Sequence, residues 1–363
     1  MTNFYDKFSF EQITNSNPQK KYDIKSYHQI LEPIFPDFLE KYLNLPLLKR
    51  LSGIGLLCGS DWTKLFHNRF YYSRLDHSIG VALIIWHFTH DKAQTIAGLL
   101  HDVSTPVFSH VSDFRNGDAL TQTSTEKTNI TIIKNSQELL SLLKQDSLTV
   151  EEIQDYHIYP IADNEIPCLS ADRLEYMYPS GMVLEGSWTL EEISKTYNDI
   201  SVLQNENRTQ ELGFNSLEMA ELYCEKFCMT GHILQMNEDK LTLQLMGTIM
   251  NLAEKEKILC EQDFMVLSEK QILEKLENGK SSLYLKKLLN TFKNMEKIEH
   301  TQNELPDDEY FCVNLKVKQR YINPLVKTQN GNFRLNQISK SANSLINDFL
   351  NYSDTKFGCV KLI

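Results

Sequence analysis

Apolar residues recur at the helical period along most of this chain. In DHSIGVALIIWHF, Ile79, Leu83 and Trp86 with their neighbours form a wide apolar face, and KAQTIAGLLHD repeats the pattern at Ile96, Leu99 and Leu100. Both stretches are predicted to be buried helices. Pro106 stops the second soon after His101-Asp102, because its ring cannot continue the backbone ladder. Further along, NSLEMAELYCEKFCMTGHILQ and KLTLQLMGTIMNLAEKEKIL predict two longer helices, the latter apolar from Leu241 to Leu252, and SEKQILEKLENG predicts one that ends at Gly279.

Two regions break the period. From Asp113 to Asp163 the chain is polar: TQTSTEKTNITIIKNSQELLSLL reads as a loop and then a helix, and DSLTVEEI as a short capped helix, together a candidate cover. Near the C-terminus EYFCVNLKVKQRYINPLV alternates apolar and polar residues, FRLNQISKSANSLINDFL reads as a turn and helix, and FGCVKLI as a returning strand. The expected fold is mainly α, a helical bundle with additional helices and a small α+β C-terminal appendage.

Composition narrows the function more than the fold. With 363 residues and 41% hydrophobic content the chain has ample material for a core. A formal charge of −11 argues against a nucleic-acid surface, though a local basic pocket for a phosphorylated ligand is compatible with it. Cys58, Cys168, Cys224, Cys228, Cys260, Cys312 and Cys359 show no C-x-x-C spacing and are expected to be reduced thiols in a cytoplasmic protein. Neither a leader pattern nor a run long enough to span a bilayer is visible.

Histidine is where the chemistry concentrates. Of ten in the chain, six (His67, His77, His87, His90, His101 and His110) fall between residues 67 and 110. His77 lies at the entry of the first apolar helix, the pair His101-Asp102 closes the second, and Asp172 opens the amphipathic stretch ADRLEYMYP. Neutral imidazoles and carboxylates without thiolate make a mixed N/O set suited to one divalent ion: Mn, Fe, Ni, Mg or Zn. A lone histidine beside an apolar helix is more often a satisfied core residue, which is the reading for His28, His87, His90, His157, His232 and His300. The ordered combination of His, His-Asp and Asp within apolar helices is different, because buried charge is costly unless something such as a metal compensates it.

HNRFYYSRLDHSIGVA, AGLLHDVSTPVFSHVSDF and ADRLEY resemble the HD-domain metal-dependent phosphohydrolases, in the branch of the deoxynucleoside triphosphate triphosphohydrolases. KRLSGIGLL and the tail KQRYINPLV extend the similarity over most of the chain from about residue 45. The resemblance implies an N-terminal segment 1–44, a phosphohydrolase core 45–200, a helical extension 201–303 packed on it, and an α+β subdomain 304–363. It implies metal ligation by His77, His101, Asp102 and Asp172, substrate contacts by Arg74, Arg173 and Tyr176, and proton transfer by His110 and Asp113 with Glu126 nearby. Homo-oligomers are common among such proteins.

The departures from that branch concern the substrate. It carries an additional histidine where this chain has Thr105, another where it has Thr125, and a deoxyribose-reading glutamine where it has Leu56. The implied activity is metal-dependent hydrolysis of a phosphate ester or anhydride on a nucleotide or related phosphorylated metabolite. The competing expectation is a nucleotide-sensing or scaffold protein that keeps the pocket with weak or no turnover.

Overall fold

Residues 23–120 and 128–363 are described by a computed structural model. Short helices α1 (Ile24–Leu31), α2 (Leu39–Leu43) and α3 (Pro46–Lys49) lead into the central pair α4 (Arg74–Thr89) and α5 (Lys92–Leu100). Every residue of α4 from Arg74 to Ile85 is buried, so this helix is an axis wrapped on all sides rather than an amphipathic surface helix. A reciprocal cap starts it: Ser73 N donates to Asp76 Oδ2 at 2.9 Å, and Asp76 N to Ser73 Oγ at 3.1 Å. His90, at φ 48°, turns the chain, and Asp91 caps α5 by accepting from Gln94 N at 3.0 Å. Because α5 closes at Leu100, His101 and Asp102 sit in the tight turn beyond it, well before Pro106.

After α6 (Val111–Arg115) come α7 (Asn129–Asn135), α8 (Gln137–Gln145) and α9 (Val150–Ile153), the last with a Thr149–Glu152 capping box. Helix α10 (Ala171–Leu184) then packs across α4, followed by α11 (Leu190–Asn198). A hairpin of β1 (Ile200–Gln204) and β2 (Gln210–Phe214) precedes α12 (Leu217–Ile233), α13 (Asn237–Lys255), α14 (Glu261–Val266), α15 (Glu269–Asn278) and α16 (Leu283–Asn294). The chain ends through β3 (Glu299–Thr301), β4 (Tyr310–Val313), β5 (Leu325–Thr328), β6 (Gly331–Arg334), α17 (Leu335–Ile338), α18 (Lys340–Leu350) and β7 (Phe357–Lys361).

Two expectations are corrected. The fold is mixed α/β, not mainly α with an appendage: among the described residues seven strands form two sheets, ordered β1-β2-β5-β6 and β3-β7-β4. The parallel pairing of β2 with β5, Gly213 opposite Leu325 and Phe214 opposite Val326, welds the C-terminal strands to a mid-chain hairpin. That hairpin is hard to read because its loop has no Asn-Gly signature. Arg208 takes the left-handed position at φ 61°, while Asn205 Oδ1 accepts from Asn207 N at 3.0 Å and Thr209 N at 3.1 Å.

The cysteines are not all free either. Cys312 and Cys359, 47 residues apart, face each other in the antiparallel β4–β7 ladder and form a disulfide, while the other five are thiols. Pairing of distant strands makes a neighbour relation that spacing does not reveal.

Two apolar cores divide the interior. One gathers side chains of α4, α5, α10 and α12; the other gathers α13, α15 and α16 with Val107, Phe108, Val111 and Phe114. The loop before α6 therefore belongs to the second core, whereas α4 and α5 belong to the first. Among the described residues no helix is long and apolar enough to cross a membrane.

Candidate metal centre

His77, His101, Asp102 and Asp172 converge from α4, the turn after α5 and the start of α10, all elements of the first core. His77 Nε2 lies 3.2 Å from His101 Nε2 and 3.1 Å from Asp172 Oδ1, and His101 Nε2 lies 3.5 Å from Asp102 Oδ2. Donor atoms held about 2.1 Å from one ion sit about 3.0–3.4 Å from each other, so this spacing suits a shared cation. His77, His101 and Asp102 form a group able to hold a metal ion. The local chemistry agrees: two ring nitrogens facing each other at hydrogen-bond distance, flanked by carboxylates, are best satisfied by a cation among them.

Three of these four side chains are oriented from behind. His101 Nδ1 donates to Gly98 O at 2.6 Å, which leaves its Nε2 as the lone-pair nitrogen. His77 Nδ1 donates to Glu175, which also accepts from Tyr72 OH at 2.5 Å and Tyr27 OH at 3.2 Å. Burial opposes a proton on His77, but Glu175 and Asp172 outweigh it and lift the imidazole to about 10. Arg74 Nη1 donates to Asp102 Oδ2 at 2.9 Å, and Thr105 Oγ1 to Asp102 Oδ1 at 2.8 Å. Burial would raise Asp102, yet Arg74 and the two imidazoles hold it well below the usual carboxylate range. Asp172 is depressed in the same way, burial being outweighed by His77 and His101.

The ligands grow more exposed in one direction: side-chain exposure is 2% for His77, 5% for His101, 13% for Asp102 and 22% for Asp172. Access is from the Asp172 side. His110, 30% exposed, has its Nδ1 2.9 Å from Asp113 Oδ2, and Asp113 is wholly buried. Burial lowers the His110 pKa, with Asp113 opposing and Arg320 and Arg74 reinforcing that shift. The turn that delivers His110 is strained, because Phe108 and Ser109 both occupy the left-handed region at φ 60° and 51°. On another side, the Tyr156 ring packs against His101 with centroids 4.9 Å apart, so part of the polar 113–163 stretch does cover the cluster.

The other expected site residues are placed differently. Arg74 points at Asp102, a candidate metal ligand, and is buried. Arg173 turns away from any open substrate space: its Nη1 donates to Asn164 Oδ1 at 2.9 Å and Cys168 O at 2.7 Å, and its Nη2 to Asp163 Oδ1 at 2.8 Å and to Asn164 O. With both terminal nitrogens engaged, it clamps the loop that leads into α10 rather than presenting a fork to phosphate. Tyr176 has a buried hydroxyl with no hydrogen-bond partner among the described residues. Glu126 and Thr125 lie outside the described residues.

Glu175 is the residue that sequence reasoning missed. It stands three positions after Asp172, on the same face of α10, where a carboxylate interrupts an apolar stripe. Gly80, three residues after His77, makes room for it, since a Cβ there would collide with the Glu175 side chain. A second group, Glu238, His300 and Asp354, spends both imidazole nitrogens on carboxylates, at 2.9 and 3.1 Å, and so forms an ion-pair clamp.

No family model matches the chain. Over 293 residues it is 26% identical to the uncharacterized protein YdhJ of Bacillus subtilis (strain 168), covering 79% of this chain and 83% of that one. A hypothetical protein from Aquifex aeolicus shares the fold at 15% identity and a TM-score of 0.59, over 91% of this chain and 93% of its own. A phosphohydrolase from Bacteroides thetaiotaomicron VPI-5482 does so at 14% identity and a TM-score of 0.59, over 89% and 95%. The chain thus has the fold of a solved phosphohydrolase, with a His-His-Asp group able to hold a metal.

Proposed function

We propose that this protein is a metal-dependent phosphohydrolase of the HD superfamily, similar to the triphosphohydrolase branch but with an altered substrate apparatus. The substrate class is a nucleotide or related phosphorylated metabolite. The observation that carries this reading is the convergence of His77, His101, Asp102 and Asp172, the first three oriented by partners behind them, on a fold shared with a phosphohydrolase. These four residues would hold one divalent ion, which when bound supplies Lewis acidity toward a phosphoryl oxygen and lowers the pKa of water.

The chain's own residues do the rest. Arg74 holds Asp102 in place and puts positive charge beside the cluster, where developing negative charge needs it. His110, partly exposed and backed by Asp113 at 2.9 Å, serves as the proton donor to a leaving oxygen. Thr105 occupies the place of a branch histidine and bonds Asp102 instead, which removes one proton-transferring group and favours a substrate other than the branch's deoxynucleotides.

The test is to purify the protein, measure its bound metal, and screen nucleotides and phosphorylated metabolites with Mn, Mg, Fe and Ni. Turnover that disappears together with metal in His101→Ala/Asp102→Ala supports the reading. Unchanged metal and turnover in that variant overturn it, and tight nucleotide binding without product in the unaltered protein favours the sensing alternative.

A further inference from the structure

A buried acid lies far from the metal cluster in sequence but is joined to it by an unbroken line of contacts. Glu269 opens α15 in the second core, yet its side chain is wholly enclosed. It accepts Gly55 N at 3.0 Å and Trp62 Nε1 at 2.7 Å. From Gly55 the line continues: Ser109 Oγ donates to Gly55 O at 3.2 Å, Arg74 Nε donates to Ser109 Oγ at 3.0 Å, and Arg74 Nη1 reaches Asp102 Oδ2 at 2.9 Å. Every side chain in this line except Asp102 is buried, and Asp102 is the candidate ligand.

Gly55 is the joint, and there is little room for a side chain there. A Cβ at that position would lie 3.0 Å from Asp61 Oδ2, 3.2 Å from the Tyr71 ring and 3.3 Å from Glu269 Oε2. The strained turn needs such support: two consecutive non-glycine residues in the left-handed region persist only where neighbours over-determine them. Phe108–Ser109 is held on one side by Val107 N donating to Phe264 O of α14 at 2.8 Å, and on the other by Ser109 on Gly55. Helices α14 and α15 therefore grip the turn from both ends, and His110 follows immediately from it. Enclosing a carboxyl costs stability unless its hydrogen bonds repay it, so an acid at 269 asks for a role that an apolar residue would not fill.

We infer that Glu269 is a positioning residue for the phosphohydrolase reaction, holding Arg74 and the His110 turn in register through Gly55 and Ser109. This rests on the function proposed above. It makes the second core part of the active site rather than a neighbour packed against it.

The experiment uses the full-length protein and four forms: Glu269→Ala, Glu269→Gln, Ser109→Ala, and the double variant Glu269→Ala/Ser109→Ala. Mn2+ alone is titrated into each apo form, and kcat and KM are measured on the substrate found by the screen, with thermal melts as the folding control. Glu269→Ala is expected to weaken Mn2+ binding or lower kcat by about 10-fold, the lower end of what partners directly behind ligands supply, because it acts through Gly55, Ser109 and Arg74, with KM nearly unchanged. Glu269→Gln keeps an acceptor for Gly55 N and restores most of the loss. The double variant loses little beyond either single change, because both break one line.

A folded Glu269→Ala with unaltered Mn2+ affinity and kcat overturns the inference, as do losses that multiply in the double variant. Should Glu269→Ala not fold, Ser109→Ala alone tests the line, since it cuts the link between Gly55 and Arg74: a folded Ser109→Ala with unaltered Mn2+ affinity and kcat overturns the inference. A protein without turnover on any phosphorylated compound sinks the proposed reaction, while the Mn2+ titrations still decide whether Glu269 acts on the cluster.

Discussion

Glu175 and His77 form the most enclosed polar pair of the candidate metal cluster: His77 Nδ1 donates to a carboxylate with no exposure, and the opposite nitrogen faces His101 and Asp172. Such a carboxylate fixes the ring and raises its basicity toward a cation. Glu175→Gln keeps the shape and removes the charge, so metal affinity should fall about 10- to 100-fold with the fold retained. A titration of apo protein with Mn2+ measures it, and equal affinities would refute the role.

Asp113 sets the behaviour of His110. It is wholly buried, accepts from His110 Nδ1 at 2.9 Å, and touches no residue of the metal cluster through that bond. Asp113→Asn should leave metal stoichiometry intact while lowering kcat by roughly 10- to 100-fold, toward the lower end of what general acid–base catalysis supplies. Parallel measurement of bound metal and turnover separates this from a folding defect, which would reduce both.

Much of this architecture is legible in the chain, for reasons that differ between elements. Helices α4, α5, α12 and α13 carry dense apolar repeats or sharp caps, such as Asp91 before α5, so local chemistry alone announces them. The β1–β2 hairpin is local, but its five-residue strands flank a glycine-free loop that gives no turn signature, and its parallel union with β5 depends on partners more than 100 residues away. The histidines and aspartates of the cluster stand out because imidazole beside acid is conspicuous in apolar surroundings. Glu175 and Glu269 do not, since a lone glutamate in a helix reads as solvated surface until the fold shows what encloses it. Arg173 illustrates the reverse: its position beside Asp172 suggests a phosphate contact, but the residues that occupy its guanidinium lie in an irregular loop with no pattern to read.

The Cys312–Cys359 bond closes a loop of 47 residues that contains β5, β6 and α18. Cross-linking a loop of this size is worth about 2–4 kcal/mol through the restriction of the unfolded chain. Urea unfolding with and without a strong reductant should show a lower midpoint in the reduced protein, and Cys312→Ser should match the reduced form in both conditions. A midpoint indifferent to reductant in the unaltered protein would contradict this expectation.

Glu269 also gives the protein a distinctive pH dependence. Burial pushes its carboxyl from the ordinary 4.5 up to about 8, with the Trp62 and Gly55 hydrogen bonds pulling the other way and Asp61 adding to the rise. Between those values the folded protein keeps a proton that the unfolded chain has released, so folding stability declines as pH rises through this window and levels off above it. Burial raises Asp61 to about 6 and Asp239 to about 7, and both add decline of the same sign in the lower part of the window. Glutamine at 269 cannot titrate. Unfolding free energies at pH 5, 6, 7 and 8 should therefore fall more steeply for the unaltered protein than for Glu269→Gln, by at most about 1.4 kcal/mol per pH unit. The two curves should converge toward the alkaline end, where the native carboxyl ionises in its enclosed site and its advantage over the amide is spent; curves that run parallel from pH 5 to 8 would mean that the proton is not held there.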